Sequence, residues 1–227
     1  AVLEGRQPDR PPISFWYHFP ADQVAGAKAV KAHVDHLRKY DLDFLKVMND
    51  NGYPHRGQIG SAADLAGLGE LKGDEGPFAA QLELLSSLRR ELGPDVLMAS
   101  TIFNAWATLR NLIRPPIEHR PPNLKDEDAI GVRIRAMYDQ DAGAVTGALR
   151  TIGGNLARFA ARCLSAGADG IYLSVRDDWV DATTPPGLYD RIVRSTDRAI
   201  LDAVQGGRFN MLHMCGKPVG FDAFAAY

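Results

Sequence analysis

The segment Phe209-Asn210-Met211-Leu212-His213-Met214-Cys215-Gly216-Lys217-Pro218 carries the residue types best suited to chemistry. Its apolar run predicts a buried strand over 209–213, closed by a His-x-Cys-Gly turn. Residues two apart on a strand point the same way, so His213 and Cys215 face one point while Met214 faces the other. An imidazole and a thiolate converging from a strand end suit a soft or borderline cation such as zinc. Two ligands fall short of the usual three or four. A core histidine beside a small buried thiol is the plain alternative.

Other candidates follow predicted strands. Asp50 ends a strand in the turn Asn49-Asp50-Asn51-Gly52. It reads either as a turn former or as a carboxylate aimed into a site. Asp177 and Asp178 follow another strand, with Arg176 before them. A solvated loop explains them, but adjacent carboxylates can also bind a cation or share a proton. His18, with Tyr17 and Phe19, follows the first predicted strand and is a candidate substrate contact, as is Tyr17. His33 and His36 lie one turn apart among Lys31, Asp35 and Arg38, which predicts a solvated helix face rather than a metal site. Cys163 falls on an apolar helical stripe and reads as packing.

These residues need positioning elements. Strands are predicted near 13–17, 44–48, 96–100, 170–175 and 209–213. Helices are predicted after Asp22 as cap, from Phe78 to Leu92, near 126–138 and 140–166, and from Leu188 to Ala203. Gly153-Gly154 either bends its helix or admits close packing. Strand and helix alternate at roughly forty residues per unit, which predicts parallel strands covered by helices. The pattern suits an open doubly wound sheet or a (β/α)8 barrel. No Gly-x-Gly-x-x-Gly follows the first strand, which weakens a dinucleotide site. On the barrel reading, Asp50, His213 and residues 177–186 share the C-terminal end of the strands, where barrel chemistry sits.

Composition narrows the class. The 227 residues are 45% hydrophobic and 24% charged, a globular balance for one domain over 1–227 with a polar, Pro-rich leader at 1–11. A net charge of -2 gives no electrostatic case for nucleic acid. No apolar run approaches the roughly 18 residues of a membrane span. Two cysteines fit a reducing cytoplasm better than a disulfide scaffold.

In order and spacing, several segments resemble the uroporphyrinogen decarboxylase superfamily, which includes zinc-dependent methyltransferases that act with corrinoid proteins. They are Arg10 to Trp16, Leu42 to Asp50, Ala166-Gly167-Ala168-Asp169-Gly170-Ile171 and Leu212-His213-Met214-Cys215-Gly216. The resemblance implies a TIM barrel, an aspartate at Asp50 in the decarboxylase position, and zinc on His213 and Cys215. It also implies a small-molecule substrate, thiol or anionic, and a corrinoid protein as possible methyl donor. The decarboxylase's arginine-bearing segment after strand one is replaced here by Tyr17-His18-Phe19-Pro20-Ala21. That departure speaks against a uroporphyrinogen substrate. Eight strands typically need about 250 residues, and five are predicted here, so the barrel reads as C-terminally incomplete and the natural chain is expected to continue. The expected activity is methyl transfer to a zinc-bound thiol. The alternatives are a metal-free decarboxylase or lyase, favoured by arginines at the mouth such as Arg56, Arg110 or Arg176, and a non-catalytic barrel that binds a small molecule.

Overall fold

The computed structural model describes residues 2–55, 57–114, 126–176, 187–215, 221–225 and 227. Among the described residues, four parallel strands form one sheet in the order β1-β2-β3-β4: Phe44–Val47, Leu97–Phe103, Gly170–Arg176 and Met211–Cys215. Helices connect and cover them: α1 (Gly26–Lys39), α2 (Pro77–Leu92), α3 (Ala105–Ile113), α4 (Asp126–Gln140), α5 (Ala142–Ser165), α6 (Arg194–Asp202) and the short α7 (Phe221–Phe224). The sheet is curled into a half-barrel.

Strand alternation explains the two faces of the sheet. Leu45, Val47, Met98, Ile102, Ile171, Leu173 and Val175 are all at most 1% exposed and form the core with the helices. Burying each such side chain is worth about 1.5–3 kcal/mol. The register places Lys46, Thr101, Tyr172, Ser174, Arg176, His213 and Cys215 on the opposite face. One face therefore holds the fold together and the other is available for chemistry.

The predicted strand over 13–17 is not one. Pro11 and Pro12 lack N–H groups, and only the Ile13 carbonyl receives a backbone bond from the sheet's neighbourhood, from Asp43 N–H at 2.9 Å. The remaining anchors are side chains: Asp43 Oδ2 accepts from Ile13 N–H at 2.8 Å, and His36 Nε2 donates to the Phe15 carbonyl at 2.8 Å. The segment is thus an extended strap over β1. Asp22 is not the α1 cap either. It sits in a 3-10 turn and pairs with Lys28 at 2.8 Å, while Ala25 takes the cap position without a side-chain bond. Gly153 resolves toward close packing, because a Cβ there would lie 2.5 Å from Thr196 of α6.

His33 and His36 correct the expectation of a solvated face, being 2% and 6% exposed. They share a buried face of α1 with Ala29 and Leu37. His33 Nδ1 bonds the Ala29 carbonyl at 2.8 Å, and Nε2 accepts from Met48 N–H at 3.3 Å, so the ring must be neutral at Nε2. Burial pushes its pKa down to about 4. The folded state therefore resists a proton that the unfolded chain takes up near 6.5. His33's contribution is complete above about pH 6.5 and is lost as pH falls toward 4, by about 3 kcal/mol in all. Asp197 acts in the opposite sense, since burial raises it to about 7. Denaturant titrations of the wild type and His33→Gln between pH 7 and 4 separate the two. The variant should show the shallower acid loss, and parallel curves would remove His33 from the account.

At the N-terminal ends of the strands, Arg89 of α2 clamps the sheet. Its guanidinium donates to the carbonyls of Gly167 (2.9 Å), Gly93 (2.6 Å) and Val96 (3.0 Å) and to Asp169 Oδ2 (2.6 Å). Asp169 Oδ2 also accepts from Met98 N–H at 2.8 Å. Gly167 and Asp169 of the Ala166–Ile171 segment thus take part in this junction between α5, β2 and β3.

Candidate functional site

Strap, strands and α3 meet at the C-terminal end of the sheet. Asn104 N–H bonds the Ser174 carbonyl at 3.0 Å, and its side chain caps α3 through Ala107 N–H at 2.9 Å. That cap starts α3 directly over the strand ends. Its later residues Arg110 and Asn111, with Arg114 at its C-cap, then overhang the inner face. A cavity of about 340 Å³ opens there.

His213 and Cys215 both line this cavity, on neighbouring inward positions of β4. The strand runs to Cys215, so the cysteine belongs to β4 rather than to a turn after it. His213 Nδ1 lies 3.1 Å from Ser174 Oγ, a contact that either ring tautomer can make, and Nε2 is left for another partner. The ring packs against Tyr172 at 5.3 Å and Trp16 at 6.1 Å. Burial, and then the charge of Lys46, lower the His213 pKa, so its neutral form is favoured at pH 7. Cys215 is a free, exposed thiol, whereas Cys163 is buried on α5 and its thiol is pushed up to about 12 by burial.

Sequence reading missed Lys46. It is 5% exposed, on the inner face of β1. Its Nζ lies 4.4 Å from the Trp16 ring centre, 4.6 Å from that of Tyr172 and 2.7 Å from Met48 Sδ. Burial lowers its pKa to about 7, with Asp50 opposing. The available signal was a lysine between Leu45 and Val47, at the inward beat of a strand whose outward beats are aliphatic. Arg114 and Ser174 were also missed. Only the overhang of α3 and the β3–β4 register bring them in.

Asp50 lies in an adjoining cavity, also about 340 Å³, which shares His18, Phe103 and Asn111 with the first. His18 Nδ1 meets Asp50 Oδ1 at 2.6 Å, with the histidine side chain 72% exposed and the aspartate 19%. Asp50 Oδ2 and Asn49 Oδ1 are buried acceptors without a hydrogen-bond partner among the described residues. An anchored carboxylate can orient this imidazole toward a ligand. Tyr17 packs on Phe19 and His36 at 4.7 and 5.2 Å and lines neither cavity. Asp177, Asp178 and Arg56 lie outside the described residues. Arg110 and Arg176 line the cavity of His213.

Among the described residues, no three His, Cys, Asp or Glu side chains group as a metal site. His213 and Cys215 are donors of the right chemistry for zinc, but only two in number. No helix among the described residues is long and apolar enough to cross a membrane.

No family model matches the chain, and no curated protein matches its sequence. Its fold is similar to that of a methyltransferase from Methanosarcina mazei, with a TM-score of 0.61 and 16% identity, over 95% of this chain and 68% of that one. At that identity the likeness shows the fold alone.

Proposed function

We propose that this chain is a methyltransferase-type enzyme of the uroporphyrinogen decarboxylase superfamily that methylates the thiol of a small anionic molecule. The observation that carries this reading is one cavity lined by an imidazole, a thiol and the cations of Arg110, Arg114 and Arg176. The fold of the Methanosarcina mazei methyltransferase supports it. A corrinoid protein is the proposed methyl donor. His213 and Cys215 would hold zinc, with further ligands from beyond the described residues or from the substrate.

Bound zinc would keep a substrate thiol as thiolate at neutral pH. The arginines orient the substrate by its anionic group and lower the cost of bringing a second negative charge into the cavity. His213 is favoured in its neutral, lone-pair-bearing form by burial and by Lys46. Trp16 and Tyr172 form an aromatic wall of the site. Transfer would form a bond from the sulfur to the methyl carbon as the donor's bond to that carbon breaks, with its electron pair staying on the donor.

Elemental analysis of the purified protein tests the proposal. His213→Ala and Cys215→Ser should each lose most of the bound zinc, because the imidazole sets geometry and the thiolate supplies charge. Stoichiometric zinc in both variants would rule out these ligands.

The cluster of arginines also favours a second reading, a metal-free decarboxylase or lyase that acts on an anionic substrate through Asp50. It requires a zinc-free protein and an activity that Asp50→Asn abolishes.

A further inference from the structure

Lys46 is a buried amine that lines the cavity and that the methyl-transfer reading uses only through its effect on His213. We propose that Lys46 is a reactive amine that condenses with the aldehyde or ketone carbon of a small carboxylate, forming a Schiff base in the cavity beneath Trp16. This goes beyond methyl transfer and shares with that reading only the cavity and its arginines.

The first observation is the company Lys46 keeps. Among the described residues it forms no ion pair. Its Nζ touches two aromatic rings and a thioether, none of which satisfies an ammonium as water or a carboxylate would. The ring faces attract an ammonium, whereas burial away from water favours the neutral amine, the form that attacks carbonyl carbon. The second is access, since Lys46 lines a cavity of about 340 Å³ at the end of the sheet. The third is charge: Arg110, Arg114 and Arg176 line the same cavity and match a carboxylate beside the carbonyl.

The charged and titratable groups around Lys46 come from every neighbouring element. Asp50, just past β1, favours the ammonium, and Arg110, Arg114 and Arg176 of α3, its C-cap and β3 line the same cavity. His33 of α1 and His213 of β4 both have lowered pKa values. His18 of the strap and Cys215 of β4 line the cavity, and Tyr172 of β3 is pushed up to about 12 by burial and so remains a proton donor.

The chemistry balances without an oxidant or reductant. The Nζ lone pair forms a bond to the carbonyl carbon, and the carbonyl oxygen takes a proton, giving a carbinolamine. That oxygen leaves as water when the carbon–nitrogen double bond forms. Hydrolysis reverses both steps.

Borohydride trapping with pyruvate on the whole chain, followed by peptide mass spectrometry, tests the proposal. At pH 7 about half of an amine with a pKa near 7 is neutral, against about one in 2,500 for an ordinary lysine. Label should therefore concentrate on Lys46 over exposed Lys31 and Lys39 by on the order of a hundredfold or more. Labelling of Lys46 should reach its plateau by about pH 8, while that of surface lysines still climbs at pH 10. Arg176→Gln should reduce labelling by pyruvate but not by acetaldehyde, which has no carboxylate. Lys46→Arg should abolish the adduct while keeping a cation over the rings. If that variant misfolds, the site distribution and pH profile of the unaltered protein still decide. Label spread by exposure, or a Lys46 profile with its midpoint near pH 10, would overturn the proposal. Zinc content and methyl transfer are read separately, so either idea can fail alone.

Discussion

Arg89→Ala should cost about 3–5 kcal/mol of stability. The guanidinium satisfies three carbonyls and the Asp169 carboxylate at once, in a junction where Arg89 and Asp169 are 22% and 11% exposed. Removing it strands a partly buried negative charge. Arg208, with its guanidinium 3.9 Å from the other carboxylate oxygen, is too far and too exposed to replace it. Arg89→Lys should fall between, because an ammonium restores the charge without the planar fork that reaches four acceptors. Urea unfolding provides the measurement. Wild-type stability in Arg89→Ala would show that the junction is held by packing alone.

Gly170→Ala should lose about 2–4 kcal/mol and lower Tm by roughly 5–10 °C. A Cβ at Gly170 would lie 2.0 Å from the Phe209 carbonyl oxygen and 2.4 Å from its carbon. Both obstacles are backbone, so no rotamer change relieves them. The chain leading into β4 must move, and β4 carries His213 and Cys215. The variant should therefore also weaken whatever the cavity binds, although Gly170 lies at the far end of β3. Differential scanning calorimetry and ligand titration on the same sample would show both effects. An unchanged Tm would mean that β4 approaches β3 less closely than described.

Sequence pattern carried the parallel sheet because its outer-face residues alternate with little interruption. Leu45 and Val47, Ile171, Leu173 and Val175, and Leu212 and Met214 mark β1, β3 and β4 directly. The same period put His213 and Cys215 on one face. It misled at Ile13–Tyr17, where aromatic and β-branched residues sit in a strap. Propensity reports a fit to a packed surface, and the strap finds one on α1 and on the inner face without joining the ladder. His33 and His36 looked solvated because their neighbours are charged. Their burial depends on acceptors and donors from Ala29, Met48 and Phe15, and the last two come from other parts of the chain. Lys46 was illegible for a related reason, since a lysine's default place is water and only the closure of Trp16 and Tyr172 over it creates the exception.

The register of the sheet also bears on how the chain reaches this fold. Phe44 pairs with Leu97, Ala99 with Gly170, and Tyr172 with Met211. No strand can find its neighbour until a long intervening segment has been drawn in, so loop-closure entropy is lost before any ladder bond repays it. Helices such as α5 form locally in about a microsecond, whereas strand docking of this range belongs to milliseconds or longer. The Arg89 junction ties α2 to the starts of β2 and β3 across the longest of these separations. If it forms early, Arg89→Ala will slow refolding as much as it lowers stability. If it forms late, the same substitution will appear almost wholly as faster unfolding.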